Sequence, residues 1–253
     1  MTLFRNAVFT AAAAGLLAGL ILAALQTYAT VPLILQAETF ENAGGGGHHH
    51  GTAAEEVAPA DAATAHHEAA TPEGGEAWGP ADGFQRFAFS LAVNVMSGIG
   101  FALLLVAVSE FAGSISSWRQ GMLWGFAGFA VFTLAPGLGL PPELPAMPAA
   151  DLFDRQVWWV GTVVATAAGL ALIAFRGTVL LSIIGVALIV LPHVIGAPQP
   201  ASHESPIPAD LHHQFVVAVT VTNLIFWVAL GGIVGIVGQR FLGQPGNLSK
   251  SFA

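Results

Sequence analysis

Residues 157–195 read VWWVGTVVATAAGLALIAFRGTVLLSIIGVALIVLPHVI, two apolar runs separated only by Arg176-Gly177. Each run is close to the ~20 residues that an α-helix needs to cross the hydrocarbon of a bilayer. Neither run alternates between polar and apolar residues, which favours helices over the strands of a membrane barrel. An arginine at mid-bilayer costs about 2.5–3.5 kcal/mol, and glycine readily forms turns. The stretch therefore predicts two membrane-spanning helices joined by a tight turn at the membrane surface.

Four further apolar runs of similar length occur, at 7–25, 87–108, 121–140 and 215–237. Only 9% of the residues are charged, against about 25% in soluble domains, so lipid must solvate much of the surface. We predict an all-α, polytopic membrane protein, a bundle of about six transmembrane helices. The first run also fits a cleaved signal peptide, but its apolar length exceeds the usual ~7–15 residues and favours a retained helix.

Three regions follow from this pattern. We assign residues 1–35 to the first transmembrane helix, 36–84 to an extracytoplasmic flexible linker rich in histidine and acidic residues, and 85–253 to a five-helix core with proline-rich outer loops. The linker is too polar and acidic to predict a packed core.

The basic residues predict the orientation. With a cytoplasmic N-terminus, five of the seven Lys and Arg residues lie inside and two, Arg86 and Arg155, lie outside. This agrees with the positive-inside rule and places both termini in the cytoplasm. Of the fifteen acidic residues only Glu110 falls inside, and all nine histidines fall at or near the outer surface.

Several functional classes are excluded by what the chain lacks. It has no cysteine, hence no thiolate nucleophile or Cys-type zinc site. Walker, GxSxG and HExxH motifs are absent, so we expect neither ATP hydrolysis nor another enzymatic activity. The basic residues are scattered singly, which argues against nucleic-acid binding. The lack of cysteine and the four methionines argue against a path for soft Cu(I).

Histidines and carboxylates on the predicted outer side are the candidate metal ligands, because imidazole binds divalent first-row metals well and carboxylates add oxygen donors. In the linker they are His48, His49, His50, His66 and His67. In and before the last outer loop they are His193, His203, Glu204, His212 and His213. Alternatively, the linker is merely a solvated loop and His193 sits hydrated at the headgroups.

The proline before His193 adds to the case for His193 as a metal ligand. Pro192 has no N–H to donate to the carbonyl of Leu188, so this carbonyl and the His193 ring could both face an ion path. Inside the membrane, Asn94 and Asn223 either line such a path or bond to neighbouring helices.

Small residues and tryptophans carry structural predictions. The spacing of Gly15/Gly19, Gly121/Gly125 and Gly231/Gly235 predicts close helix packing. The tryptophans of the spans are interpreted mainly as anchors at the membrane interface; they are Trp118, Trp124, Trp158, Trp159 and Trp227.

The chain resembles the CbtA family of predicted cobalt transporter subunits over nearly its whole length, the linker excepted. The segments that carry the resemblance are FR at 4–5, GLLAG at 15–19, GMLWGFAG at 121–128, APGLGLPPELP at 135–145, RQVWW at 155–159 and PHVIGAP at 192–198. The resemblance implies cobalt uptake across a bacterial inner membrane for cobalamin biosynthesis. It also implies a small, single-helix, histidine-bearing partner of the CbtB type. It supplies no residue-level mechanism, so the candidate ligands rest on this sequence alone.

The resulting hypothesis is a component of a divalent-metal uptake system, with Co²⁺ as the transported ion and no tightly bound cofactor. Outer histidines and carboxylates would capture the ion, and His193 would pass it inward. One alternative is a non-transporting metal-binding or assembly subunit of a larger membrane complex. Another is a membrane enzyme with a Lewis-acid metal, but two histidines on one buried helix face are lacking. The oligomeric state is left open.

Overall fold

The computed structural model describes residues 2–44, 80–81 and 83–241, and within these ranges the chain is helical and contains no strand. The prediction of an all-α protein is confirmed. The helices are α1 (Thr2–Ala29), α2 (Val31–Gly44), α3 (Phe84–Phe111), α4 (Trp118–Phe129), a π-helical turn (Ala130–Leu134), α5 (Ala135–Gly139), α6 (Leu152–Arg176), α7 (Val179–Ile195) and α8 (Ala209–Phe241).

Six apolar segments of the described chain correspond to the six predicted spans. Five are long and apolar enough to cross a membrane, among them Trp118–Gly139, which joins α4, the π-helical turn and α5. The sixth, α7, has 17 residues, or about 25 Å at 1.5 Å per residue, near the lower limit for a span. The chain is therefore a polytopic membrane protein.

The predicted tight turn between the fourth and fifth spans is present. Helix α6 ends at Arg176, and Gly177 follows in the left-handed conformation, with φ 60° and ψ 11°. Glycine adopts this conformation without a Cβ clash, which lets the chain reverse at once into α7. At its other end α6 is capped by the Asp151 carboxylate, which accepts the N–H groups of Phe153 (2.9 Å) and Asp154 (3.2 Å).

The beginning of the predicted flexible linker is helical, because α2 continues to Gly44. Apolar residues recur along α2 at helical spacing, and Ala37 is fully buried in a cluster with Leu144 and Leu211. Glu38 of α2 also forms an ion pair with Arg86 of α3. The prediction placed residues 36–44 in the linker because they are polar, but their contacts with the bundle make them part of α2. Residues 45–79 of the predicted linker lie outside the described ranges.

Glycines bring the long helices into backbone contact, as their spacing predicts. A Cβ on Gly15 would lie 2.3 Å from the backbone nitrogen of Ile99 in α3. A Cβ on Gly231 of α8 would lie 2.1 Å from the carbonyl oxygen of Gly121 in α4. Without a hydrophobic driving force between helices in lipid, such close packing is a main source of association. Helix α1 packs on α3 and α8, and α4 packs on α8.

The antiparallel helices give the bundle two different ends. We call the end with Arg5, Arg119, Arg176 and Arg240 the arginine face. The opposite end, with α2 and the loops 140–151 and 196–208, is the proline-rich face. Arg155, which lies at the proline-rich face, is paired with Glu143 at 3.0 Å, as Arg86 is with Glu38. Both exceptions to the positive-inside pattern therefore have a carboxylate partner.

Candidate ion-binding cavity

A cavity of ≈ 450 Å³ lies between the third span, α8 and Trp159 of α6. It reaches from Pro142, in the loop of the proline-rich face, to Asn223 within the membrane-spanning part of α8. Its lining is largely apolar, with Thr133, Thr220 and Asn223 as the polar exceptions. A concave, mostly apolar site with a few polar groups is the usual form of a binding pocket.

One stripe of α8 forms a wall of this cavity. Val216, Val219, Thr220 and Asn223 all line it, and their spacing of three and four residues places them on one helix face. His212 precedes Val216 by one turn on this stripe. Eleven residues separate His212 from Asn223, so the stripe extends about 16 Å along the helix axis.

His212 lies at the edge of the cavity next to Pro142. Its Nε2 is 3.1 Å from the Pro142 carbonyl oxygen. Since a carbonyl oxygen only accepts, Nε2 must carry the proton in this hydrogen bond. In the neutral ring the lone pair is then on Nδ1. Metal-binding histidines commonly donate their other N–H to a carbonyl in this way.

The third span contributes the opposite wall through an irregular segment. Pro136 has no N–H, so it cannot donate to a carbonyl of the preceding turn. The helix adjusts by a π-helical turn over Ala130–Leu134, in which the N–H of Ala135 bonds to the carbonyl of Ala130. Phe132, Thr133 and Pro136 line the cavity. Single π-helical turns of this kind occur often at functional sites.

An aromatic stack lies next to the cavity on the side of the arginine face. The rings of Phe132 and Trp227 are parallel within 9°, with centroids 5.5 Å apart, and Phe101 packs against both. Trp227 is 2% exposed, so its interpretation as an interfacial anchor is wrong. It continues the α8 stripe one turn past Asn223, and Gly128 leaves room for its ring.

His193 lies outside this cavity. Its ring packs edge-on against Trp158, with centroids 5.9 Å apart. The Trp158 Nε1–H donates to the carbonyl of Pro192 at 3.2 Å, and the N–H of Gly196 donates to the same carbonyl. These contacts hold His193 at the outer end of the α6–α7 hairpin, separate from the α8 stripe.

The other predicted ligands are dispersed. His203, Glu204 and His213 are exposed at the proline-rich face. In the described parts of the chain, no three His, Asp or Glu side chains come together as a metal centre. His48, His49, His50, His66 and His67 lie outside the described residues. The metal-ligand assignments therefore stay predictions.

The structure places two polar residues that the sequence left open or missed. Asn94 donates from Nδ2 to Gln26 Oε1 of α1 at 2.7 Å, so of its two predicted roles the structure shows the bond to a neighbouring helix. Thr133 lines the cavity, and its position three residues before a proline in an apolar run is the sequence signal that indicates it.

The fold and the cavity define a polytopic helical membrane protein with a concave site between its third span and α8. Residues 4–239 match the family model described as "Probable cobalt transporter subunit (CbtA)". The chain belongs to the CbtA family. Searches of curated proteins and of solved structures find no match.

Proposed function

We propose that this protein is the membrane component of an uptake system for a divalent transition metal, with Co²⁺ as the transported ion. The supporting observation is the cavity beside His212, found in a chain of a family described as probable cobalt transporter subunits. Polar groups within the membrane are costly and are commonly retained where a solute or ion passes. The cavity is next to the face that the positive-inside pattern places outside the cytoplasm.

In this proposal His212 binds the ion at the entrance. The hydrogen bond from Nε2 to Pro142 orients the ring and leaves Nδ1 as the ligand atom. Imidazole suits borderline divalent ions, and the family description selects cobalt among them.

The exposed groups of the proline-rich face raise the local concentration of the cation. His203, Glu204 and His213 would act in this way, and His193 would hold the ion at the neighbouring hairpin. The linker histidines 48–50, 66 and 67 would extend the same surface. Carboxylates at this face attract cations over about a Debye length, roughly 8 Å at physiological salt.

The membrane potential supplies a driving force. One charge moving across 100 mV changes in free energy by about 2.3 kcal/mol, so a dication gains about twice that, 4.6 kcal/mol, when the inside is negative. Uptake by this route needs no ATP-binding motif in the chain. The setting we propose is a bacterial inner membrane with both termini in the cytoplasm, serving cobalamin synthesis.

A second candidate is a metal-binding or assembly subunit that does not transport alone. The observation in its favour is the family description, which calls its members subunits. A small single-helix CbtB-type protein would then be the partner that completes the transporter.

Radioactive Co²⁺ uptake into proteoliposomes that contain only this chain tests both candidates. We expect uptake that increases with an inside-negative potassium diffusion potential. The His212→Ala variant should raise the half-saturating Co²⁺ concentration by about ten-fold or more, because even second-shell changes cost 10–100-fold in metal affinity. The matched control is Gln214→Ala, an exposed residue on the same helix, which should behave as wild type.

The outcomes separate the candidates. Uptake only after addition of a CbtB-type partner would favour the accessory role. An unchanged half-saturating concentration in His212→Ala would remove His212 from the path. Absence of uptake with and without a partner would contradict the proposed function.

A further inference from the structure

We propose that the Thr133 hydroxyl and the Asn223 side-chain oxygen form a second binding site, deep in the cavity, for a divalent cation that keeps part of its hydration shell. This inference rests on the proposed function and assigns neutral oxygen ligands to the inner half of the cavity. It concerns groups other than the histidines and carboxylates considered so far.

The first oxygen comes from the third span. The Thr133 hydroxyl lines the cavity and has no hydrogen-bond partner among the described residues. In a membrane, polar groups without an internal partner are tolerated where they line a wet cavity.

The second oxygen comes from α8. Asn223 donates from Nδ2 to the carbonyl of Val219 at 2.9 Å. This bond leaves Oδ1 as an acceptor with no donor in the described parts of the chain. Thr220, one turn above, donates its hydroxyl hydrogen to Val216 at 2.7 Å, so only its lone pairs are available. Each of these side chains therefore has an oxygen that can bind a cation.

Hydroxyl and amide oxygens can bind a cation or water, and the proposed function supplies the cation. No carboxylate, imidazole or thioether lies among the described lining residues, so the ligands are neutral oxygens. Such ligands replace hydration water without holding the ion tightly, and passage requires binding weak enough for release. With ≈ 450 Å³ the cavity has room for an ion and several waters.

The position of the site agrees with a stepwise path. His212 is at the entrance, Asn223 is about 16 Å further along α8, and the Phe132–Trp227 stack lies directly beyond Asn223. An ion that leaves the imidazole would thus find oxygen ligands before it reaches these aromatic rings.

Two kinds of substitution distinguish this site from a merely structural role. Asn223→Leu and the isosteric Thr133→Val remove oxygen ligands and should each slow saturated Co²⁺ uptake, by about ten-fold for Asn223→Leu, since bonds to charged groups are strong. Asn223→Asp adds a carboxylate beside a dication. It should tighten equilibrium Co²⁺ binding to the detergent-purified chain by about ten-fold and slow saturated uptake, because release becomes limiting.

The matched control is Thr222→Val, next to Asn223 but off the cavity, with its hydroxyl bonded to Ala218; it should transport as wild type. If wild type transports but Asn223→Leu and Thr133→Val transport equally well, the site is overturned and the proposed function stands. If wild type does not transport with or without a CbtB-type partner, the proposed function fails. The binding assay still tests the site: equal Co²⁺ affinity in Asn223→Asp and wild type means that the oxygens hold water only.

Discussion

Two asparagines of similar chemistry have different roles, and the difference lies in their neighbours. Asn94 is 8% exposed and donates to Gln26 across the α1–α3 interface. Asn223 donates within its own helix and lines the cavity. A sequence pattern cannot distinguish them, because both are single amides in apolar spans.

The Asn94 contact predicts a change in stability without a change in transport. Asn94→Ala should lower the free energy of unfolding by about 0.6–1.7 kcal/mol, the range measured for interhelical bonds in lipid. Unfolding in mixed micelles measures this, and uptake per folded protein should equal wild type. A double-mutant cycle with Gln26→Ala that shows no coupling energy would contradict the assigned bond.

At the scale of helices, the glycine contacts determine which elements form the closely packed part of the bundle. Helices α1, α3, α4 and α8 approach one another at backbone distance. The α6–α7 hairpin is held mainly by its own contact between Gly169 and Gly185, and meets the bundle at the π-helical turn and α5. The cavity therefore lies where the closely packed part of the bundle meets the hairpin.

Gly231→Ala should disrupt the α4–α8 contact. The new methyl group would meet the Gly121 carbonyl oxygen at 2.1 Å, and backbone atoms cannot move aside as a side-chain end can. We expect the free energy of unfolding to fall by about 1–3 kcal/mol, which is typical of overpacking. Unfolding in mixed micelles measures this change.

The neighbouring glycine supplies the control for this substitution. A Cβ on Gly232 would meet only Met122 Cγ at 3.5 Å, an ordinary contact. Gly232→Ala should keep wild-type stability, and equal losses in both variants would mean that α4 and α8 are not in backbone contact there.

For the whole molecule, the predicted orientation makes the proline-rich face accessible from outside the cell and the arginine face accessible only from the cytoplasm. The chain has no cysteine, so a single introduced thiol reports its own side of the membrane. Ser202→Cys, in the loop of the proline-rich face, should react with a membrane-impermeant maleimide in intact cells with a permeable outer envelope. Ser116→Cys, between α3 and α4 at the arginine face, should react only after lysis. The reverse pattern would invert the orientation and with it the direction of capture.

The sequence by itself determined the number and type of the spans, the hairpin at Arg176-Gly177, the glycine contacts and the distribution of charge. These properties follow from local rules: apolar length against bilayer thickness, the missing Cβ of glycine and the cost of charge in lipid. Only the tertiary structure decided that Thr133, Phe132 and Asn223 line one cavity, that His193 lies apart from it and that Trp227 belongs to the core. Such groupings depend on which helix faces meet, and in lipid apolar periodicity does not mark the buried face, because lipid-exposed and buried residues are both apolar.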